Sequence, residues 1–156
     1  MSDQPTKKYE FVEGDTIIYR GKVLRRIRAL RELYEHKIEE FVVFVQKGQL
    51  GGYIEKEENL SHEGDCWVGG NAKVLDNARV EDGAQVKDFA EVSEYALIQG
   101  HSEVCDFSRF TGFARASDES RAFGYSWVGD TAQMLGNSAV GDGERVCGDS
   151  VLASIF

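Results

Sequence analysis

The stretch "NAKVLDNARVEDGAQVKD" at residues 71–88 states one six-residue pattern three times. Each unit has a small residue, a spacer, a valine and then a polar corner. The same frame continues through fifteen hexads from Asp65 to Ser154 without insertion or deletion. The fourth position is apolar in all fifteen, the second is Ala, Ser or Cys in fourteen, and the sixth is Gly, Asp or Glu in fourteen. More than half of the chain is therefore a repeat.

The period of six predicts a short strand followed by a sharp corner. Small and apolar residues at positions two and four point to one side of an extended strand. The boundary pairs, such as Asp-Asn and Asp-Gly, tolerate the positive φ that a tight turn requires. Three strands and three corners close a triangular coil of eighteen residues, and successive coils stack as parallel strands about 4.8 Å apart. We therefore expect an all-β chain with about five triangular coils.

The hexads of residues 65–154 resemble the hexapeptide-repeat, left-handed parallel β-helix superfamily, which includes acyltransferases and γ-class carbonic anhydrases. The left-handed winding is implied by this resemblance alone. The segment "LGGYIEKEENLSHEGDCWV" (50–68) is similar to uncharacterised phage and prophage hexapeptide proteins, often labelled transferases on fold alone. Such a label carries no information about chemistry.

The chain is expected to divide into an N-terminal β-rich cap at 1–64 and the β-helix at 65–156, with the cap covering the edge of the first coil. Within the cap we expect a polar tail (1–10), two strands around Arg20-Gly21-Lys22 or a helix (16–30), a short buried strand (41–45) and a Gly-rich turn (47–52).

Charge and cysteine content restrict the function classes. The net charge of −9 is concentrated in residues 65–156, which hold 15 acids and 7 bases. This balance argues against direct nucleic-acid binding, which needs a basic surface. An acidic DNA mimic is a further alternative, although glycines interrupt each column of sixth-position acids. The polar N-terminus and the lack of a long apolar run favour a cytoplasmic protein without a membrane contact. The cysteines are expected to be reduced, structural thiols: Cys66, Cys105 and Cys147.

One basic cluster stands out in the cap, from Arg20 to Arg31. It is either a patch for nucleic acid or an acidic partner, or a solvated face balanced by acids, and we favour the second interpretation. The bases are Arg20, Lys22, Arg25, Arg26, Arg28 and Arg31, and the expected balancing acids are Glu32, Glu35, Glu39 and Glu40.

Evidence for catalysis is sparse. The resemblance to acyltransferases makes His101, at a corner, the one candidate base, with acetyl-CoA as the implied cofactor. The array has no inserted loop to assist such a base, and a corner polar residue explains His101 equally well. A carbonic-anhydrase centre needs converging histidines, whereas His36, His62 and His101 lie in separate segments. We therefore expect no catalytic residue, no metal and no cofactor, with a CoA-dependent acyltransferase as the alternative.

Aromatic residues lie on the outer surface of the predicted prism. Residues eighteen apart share a column, which groups them at the corners and on one ridge. They form either a binding surface for a protein or ladders of rings that stabilise the corners. The residues are Phe89, Phe107, Tyr125, Phe123, Trp127, Tyr95 and Phe113. Lys73, Glu91 and Arg109 fall in an outward column of alternating charge, interpreted as a surface ladder.

A second surface suggests self-association into a dimer or trimer. Its residues are Leu97, Leu135, Val151, Ile155 and Phe156. The leading hypothesis is a non-catalytic interaction protein that presents an aromatic and acidic β-helix surface to another protein. The phage resemblance implies a host complex as the partner, such as a defence complex that the protein inhibits. A self-assembling structural protein is a further alternative.

Overall fold

The computed structural model describes residues 6–37 and 40–153, and these residues form an all-β chain with a single 3₁₀ turn at Glu57–Asn59. The described strands are β1 (Tyr9–Tyr19), β2 (Lys22–Ala29), β3 (Leu33–Lys37), β4 (Glu40–Val45), β5 (Leu50–Ile54), β6 (Trp67–Val68), β7 (Lys73–Val74), β8 (Arg79–Val80), β9 (Gln85–Val86), β10 (Glu91–Val92), β11 (Leu97–Ile98), β12 (Glu103–Val104), β13 (Arg109–Phe110), β14 (Arg115–Ala116), β15 (Arg121–Ala122), β16 (Trp127–Val128), β17 (Gln133–Leu135), β18 (Ala139–Val140), β19 (Arg145–Val146) and β20 (Val151–Ala153).

Three parallel sheets build a solenoid. The first face stacks β5, β7, β10, β13, β16 and β19; the second stacks β8, β11, β14, β17 and β20; the third stacks β6, β9, β12, β15 and β18. Within the hexads each residue pairs with the one eighteen positions later, as Val74 does with Val92 and Val92 with Phe110. The predicted parallel β-helix is confirmed, with about six turns.

Each described hexad boundary has a residue in the left-handed region of φ and ψ. All fifteen residues that close a hexad unit between Gly64 and Gly148 have positive φ, from 52° to 71°. Glycine adopts this conformation without a Cβ penalty, and Asp tolerates it because its short side chain bonds to nearby backbone. Gly, Asp or Glu at position six is thus the sequence signal for the corners.

The largest side chains inside the solenoid are the fourth-position residues of its three faces. They are fully or almost fully buried from Val68 to Val140, with Phe110 the largest. The last two, Val146 and Leu152, are half-buried, because no described coil stacks on theirs. The small second-position residues let the three faces approach one another closely.

The solenoid begins one coil earlier than the hexads indicate. Ile54 of β5 pairs in parallel with Val74, and Leu60 forms an isolated parallel bridge to Val80. Part of the expected Gly-rich turn is therefore wrong: only Lys47-Gly48 turns, whereas Leu50 onward is strand. A Cβ on Gly52 would lie 2.6 Å from the Ala72 carbonyl oxygen, so this glycine permits close stacking of the first two coils.

The N-terminal hairpin extends the first face. β1 and β2 pair antiparallel through a two-residue turn, Arg20-Gly21, in which both residues have positive φ. The two-strand interpretation of this segment is confirmed and the helix is wrong. The polar-tail prediction is also wrong for Lys8 and Tyr9, which are buried. Lys8 Nζ donates a hydrogen bond of 2.6 Å to the Cys66 carbonyl, which ties the N-terminal strand to the first coil.

β3 and β4 form a separate two-stranded sheet. Its base is buried, since Leu33 and Val45 belong to the main core. The prediction of a buried strand at 41–45 is wrong for most of its length, because Phe41, Val42 and Val43 are exposed. The apolar composition of this strand predicts buried side chains, but these three lie at the surface.

Candidate protein-binding face

Two columns of stacked rings stand at corners of the β-helix, directly after the positive-φ residues. Phe89, Phe107 and Tyr125 form the long ladder, with ring centroids 5.1 and 4.8 Å apart and rings within 5° of parallel. Tyr95 and Phe113 form the short ladder, with centroids 4.9 Å apart. The eighteen-residue coil causes this stacking, because it places successive corner side chains one strand spacing apart.

Both ladders border the first face of the solenoid. The long-ladder residues precede β10, β13 and β16, and the short-ladder residues follow β10 and β13. Their side chains are 46% to 70% exposed. We use the name aromatic face for the first face from β13 to β19 together with the two ladders. The structure thus brings five of the seven predicted aromatic residues to the edges of one surface.

An arginine–tryptophan column occupies the centre of the aromatic face. Arg109, Trp127 and Arg145 are in parallel register, and their side chains point outward. The guanidinium of Arg145 lies 4.4 Å from the Trp127 ring centroid. Trp127 Nε1 donates a 2.9 Å hydrogen bond to Thr111 Oγ1, which fixes the ring. Trp, Tyr and Arg are the residues most enriched at energetic centres of protein interfaces.

The N-terminal hairpin closes the lower end of the first face. The carboxylate of Glu91 is buried, accepts a 2.6 Å hydrogen bond from the Tyr19 hydroxyl and lies 2.9 Å from the Arg20 guanidinium. Burial, and then this hydrogen bond, raises the pKa of Tyr19. The predicted column of Lys73, Glu91 and Arg109 is confirmed by its register. Only Arg109 of the three remains in the open part of the face.

Phe123 packs against the next coil and is less exposed than Tyr125. It lies two residues before Tyr125, on the side of the third face, and is half-buried. A Cβ on Gly141 would overlap the Phe123 ring, so the ring covers this glycine of the next coil. The predicted ridge around Tyr125 therefore consists of one exposed ring between two partly covered ones.

The acidic corners have a structural role. A sixth-position carboxylate accepts the backbone N–H of the corner residue one coil later, as Asp106 does from Gly124 at 2.8 Å. Asp76, Asp82, Asp88, Glu94, Asp106, Asp118 and Asp130 all make this bond, and Glu55 makes it to Asp76. The carboxylates pair amides that the ladder of the strands leaves free. They also give the aromatic face an acidic rim.

His101 lies in a different place, at the corner between the second and third faces. Its ring packs over Gly83, where a Cβ would approach His101 Nδ1 to 2.8 Å. The histidine lines an open groove of about 710 Å³ between that corner and the β3–β4 sheet. Among the charged lining residues are Glu35, Asp65, Asp82, Glu103, Glu119 and Arg121. Five carboxylates against one guanidinium oppose the polyanionic CoA that the acyltransferase alternative requires.

The thiols and carboxylates form one group of possible metal ligands within the described residues. Asp88, Cys105 and Asp106 have ligand atoms within 4.8 Å of one another. Burial, followed by the charges of Asp106 and Glu103, raises the pKa of the Cys105 thiol to about 11. A protonated thiol is a poor metal ligand, and Asp88 already accepts the Asp106 N–H. Cys66 and Cys105 are buried free thiols, and Cys147 is an exposed one.

The predicted self-association surface is not continuous. Leu97, Leu135 and Val151 share the second face, but Arg79 and Arg115 flank Leu97 in register. Leu135 is half-buried and Val151 is exposed. The other two members, Ile155 and Phe156, lie outside the described residues.

Five of the six bases in the basic cluster of the cap form ion pairs with acids outside the expected set, of which Glu39 lies outside the described residues. The contacts are Arg20–Glu91 at 2.9 Å, Lys22–Asp76 at 2.9 Å, Arg26–Asp15 at 2.9 Å, Arg28–Glu10 at 2.7 Å and Arg31–Asp65 at 3.0 Å, while Arg25 lies 5.4 Å from the Phe11 ring centroid. These pairs join the hairpin to itself and to the first coils. The cluster is thus a set of internal links, in line with the favoured interpretation of a balanced face.

Sequence reasoning missed Arg145, because the residue type alone does not distinguish it from the other arginines of the repeat. Its column could have been found, since position 145 is eighteen residues after Trp127. Comparison with known protein-family models and with curated proteins finds no match to this chain. The described residues contain no helix with the length and apolarity needed to cross a bilayer.

Proposed function

We propose that this chain is a non-catalytic protein-interaction module that presents the aromatic face to a partner protein. The observation that carries the proposal is the pair of exposed ring ladders bordering one rigid sheet, with Arg109, Trp127 and Arg145 between them. Stacked rings on a fixed backbone lose little conformational freedom on binding, which lowers the entropic cost of association.

The chemistry of the face favours a partner with a basic rim. The corner carboxylates of Asp88, Asp106 and Asp142 belong to the corner column directly before the long ladder, and those of Glu94 and Asp130 to the column directly before the short ladder. Charge complementarity at a rim speeds association and excludes acidic competitors. The partner would therefore place an apolar or aromatic centre against Trp127 and lysines or arginines around it.

The resemblance to phage and prophage proteins suggests where such a partner is found. We propose a cytoplasmic host complex, with inhibition of a defence complex as the biological outcome. Occupying a partner's basic surface through an aromatic and acidic face would block that surface without any chemistry by the bound protein.

The test uses wild-type protein as bait in lysate of the bacterial host, followed by mass spectrometry and titration of the purified partner. The double variant Phe107→Ala/Tyr125→Ala should lose capture, because it removes two of the three rings of the long ladder. Ile18→Ala, which truncates a side chain that is 80% exposed on β1, is the matched control and should capture normally. Thermal melting confirms that both variants fold.

Salt dependence adds a second readout. Affinity for a basic partner should fall between about 0.05 and about 0.5 M salt, because exposed charges are screened over the Debye length. Capture unaffected by the double variant would overturn the assignment of this face. Saturable binding of acetyl-CoA in calorimetry, lost in His101→Ala, would instead support the acyltransferase alternative.

A further inference from the structure

The long ladder ends in an open ring face at Tyr125. Phe107 covers one face of this ring, with the two centroids 4.8 Å apart. The opposite face is directed toward the next coil, where the residue eighteen positions later is Gly143. A Cβ on Gly143 would have no atom within 4 Å, so the position above the Tyr125 ring is empty. Tyr125 is accordingly 70% exposed, the largest fraction in the long ladder.

The short ladder is closed at the same level. The residue one coil above Phe113 is Thr131. Its hydroxyl donates a hydrogen bond of 2.6 Å to the Asp149 carboxylate and lies 3.0 Å from the Gly148 carbonyl oxygen. A side chain held by its own coil and the next thus occupies the position above the ring. Of the two ladders, only the long one ends in an empty stacking position.

A carboxylate without a partner lies beside this empty position. Asp142 is the corner residue directly before Gly143. In the same corner column, Asp88 and Asp106 each accept the backbone N–H of the corner residue one coil later. The Asp142 side chain makes no hydrogen bond and no ion pair within the described part of the chain. It is therefore available to a ligand that donates hydrogen bonds.

The neighbouring column shows that a guanidinium fits between two coils at this spacing. Arg145 is in parallel register with Trp127, and its guanidinium carbon lies 4.4 Å from the Trp127 ring centroid. The arginine reaches the ring from the coil above, which is the side on which Tyr125 is uncovered. A planar guanidinium stacks on aromatic faces and also pairs with carboxylates, whereas a lysine ammonium is a compact and strongly hydrated charge.

The charges around the empty position favour a cation. Asp142 and Glu144 flank Gly143, and Asp106 lies two coils below Asp142 in the same column. Arg145 is the one base in the sequence from 142 to 145, and its guanidinium is already stacked on a ring. The open ring face therefore attracts a positively charged group and repels a carboxylate or a phosphate.

We propose that the open face of Tyr125 is an arginine-binding site: the guanidinium of an arginine of the partner protein stacks on the ring above Gly143 and donates hydrogen bonds to the Asp142 carboxylate. This inference rests on the proposed function, because it names the side chain that the partner places against the aromatic face. The partner's arginine becomes the fourth member of the column formed by Phe89, Phe107 and Tyr125.

The probe is a hexaarginine peptide, and a hexalysine peptide of the same charge is its comparison. Both are titrated into the wild-type chain at about 20 mM salt, where charges are weakly screened. Dissociation constants are measured from the NMR shifts of the Tyr125 and Gly143 amides, which report on this corner alone. Hexaarginine should bind about twofold to fivefold more tightly, since ring stacking adds to the attraction that both peptides share. Equal affinities, or no shifts at these amides, would overturn the proposal.

Gly143→Asn tests the stacking position. Asparagine tolerates the positive φ of this residue and fills the empty space, so the preference for hexaarginine at the Tyr125 amide should disappear. Gly14→Asn is the matched control, because Gly14 has φ of 79° against 81° for Gly143 and also has no atom within 4 Å of its Cβ position. It should keep the preference. A preference that survives Gly143→Asn in a folded protein would count against the site.

Asp142→Asn tests the carboxylate and keeps the proposal falsifiable if Gly143→Asn does not fold. It should weaken hexaarginine binding about twofold more than Asp118→Asn does, because the second variant removes the same charge at a different corner. Thermal melting shows whether each variant is folded. Equal effects of the two substitutions would contradict the role of Asp142.

The peptide titrations separate this proposal from the proposed function, because they need no partner protein. Capture lost in Phe107→Ala/Tyr125→Ala, together with equal affinity for the two peptides, would keep the function and overturn the arginine site. Capture unaffected by that double variant, together with a clear preference for hexaarginine, would support the site and overturn the wider face. Capture lost in Gly143→Asn but unchanged in Asp142→Asn would indicate an aromatic side chain of the partner instead, and would overturn the arginine assignment.

Discussion

Replacing Asp118 by alanine tests how the left-handed corners are held. Asp118 has φ of 58°, and its carboxylate accepts the Gly136 N–H at 2.8 Å. Loss of this solvent-exposed bond should cost about 1 kcal/mol, and holding alanine in a left-handed conformation should cost about 1 kcal/mol more. We therefore expect Asp118→Ala to lower the free energy of unfolding by about 2 kcal/mol. Asp118→Asn, which keeps an acceptor and tolerates positive φ, should lose less than about 1 kcal/mol.

Asp142 provides the matched control. It has φ of 52°, but its carboxylate accepts no hydrogen bond from the described residues, so Asp142→Ala isolates the conformational cost of about 1 kcal/mol. Urea unfolding at neutral pH measures each variant, with the midpoint expected to move and the slope to stay constant. Hydrogen exchange of the Gly136 amide should accelerate in Asp118→Ala alone. Equal losses in the two alanine variants, or unchanged exchange at Gly136, would refute the role given to the carboxylate.

Three further outcomes are expected. Burial opposes ionisation of Asp76, but hydrogen bonds from Lys22 and from the Glu94 N–H hold the pKa of its carboxyl group below the usual 3.8. The ionised carboxylate therefore stabilises the fold fully above about pH 4, and this stabilisation is lost as pH falls. Lys22→Met should reduce the acid-induced loss of stability, measured as the free energy of unfolding against pH. Gly52→Ala should destabilise by about 1–3 kcal/mol in thermal melts because its Cβ meets a backbone oxygen, whereas Gly69→Ala, whose nearest neighbour is at 3.4 Å, should be tolerated. Phe110→Ala should cost about 3–5 kcal/mol in urea unfolding, since the ring is fully buried in a narrow core.

The repeat could be predicted because each hexad repeats the same local physics. Position four is apolar and buried, position six has positive φ, and the eighteen-residue period fixes which corner side chains meet. Columns such as Phe89, Phe107 and Tyr125 follow from counting alone. Their orientation toward the first face also follows, since the chain enters β10, β13 and β16 directly after them.

The cap resisted prediction because its determinants are not periodic. The burial of Lys8 depends on acceptors at Gly64 and Cys66, more than fifty residues away. The segment Leu50–Ile54 was predicted as a turn because of its glycines, but it is a strand. Its glycines allow the first two coils to approach each other closely. Apolar composition at Phe41–Val43 gave the wrong burial because it does not reveal whether another element packs on a strand, and these three side chains lie at the surface.

The residues that follow the corners show whether the fold itself requires aromatic rings at these positions. The residue after each positive-φ corner is Asp, Asn, Gly, His, Glu or Thr in ten of the fifteen hexads, and all of these corners have the same backbone geometry. The fold therefore does not require an aromatic ring there. Stacking stabilises each ring pair by about 0.5–1.5 kcal/mol, but about half of each ring's surface stays exposed to water, which is unfavourable for an apolar group. Five rings confined to the two edges of one face, and missing from the His101 corner, are better explained by what that face contacts than by what holds the solenoid together.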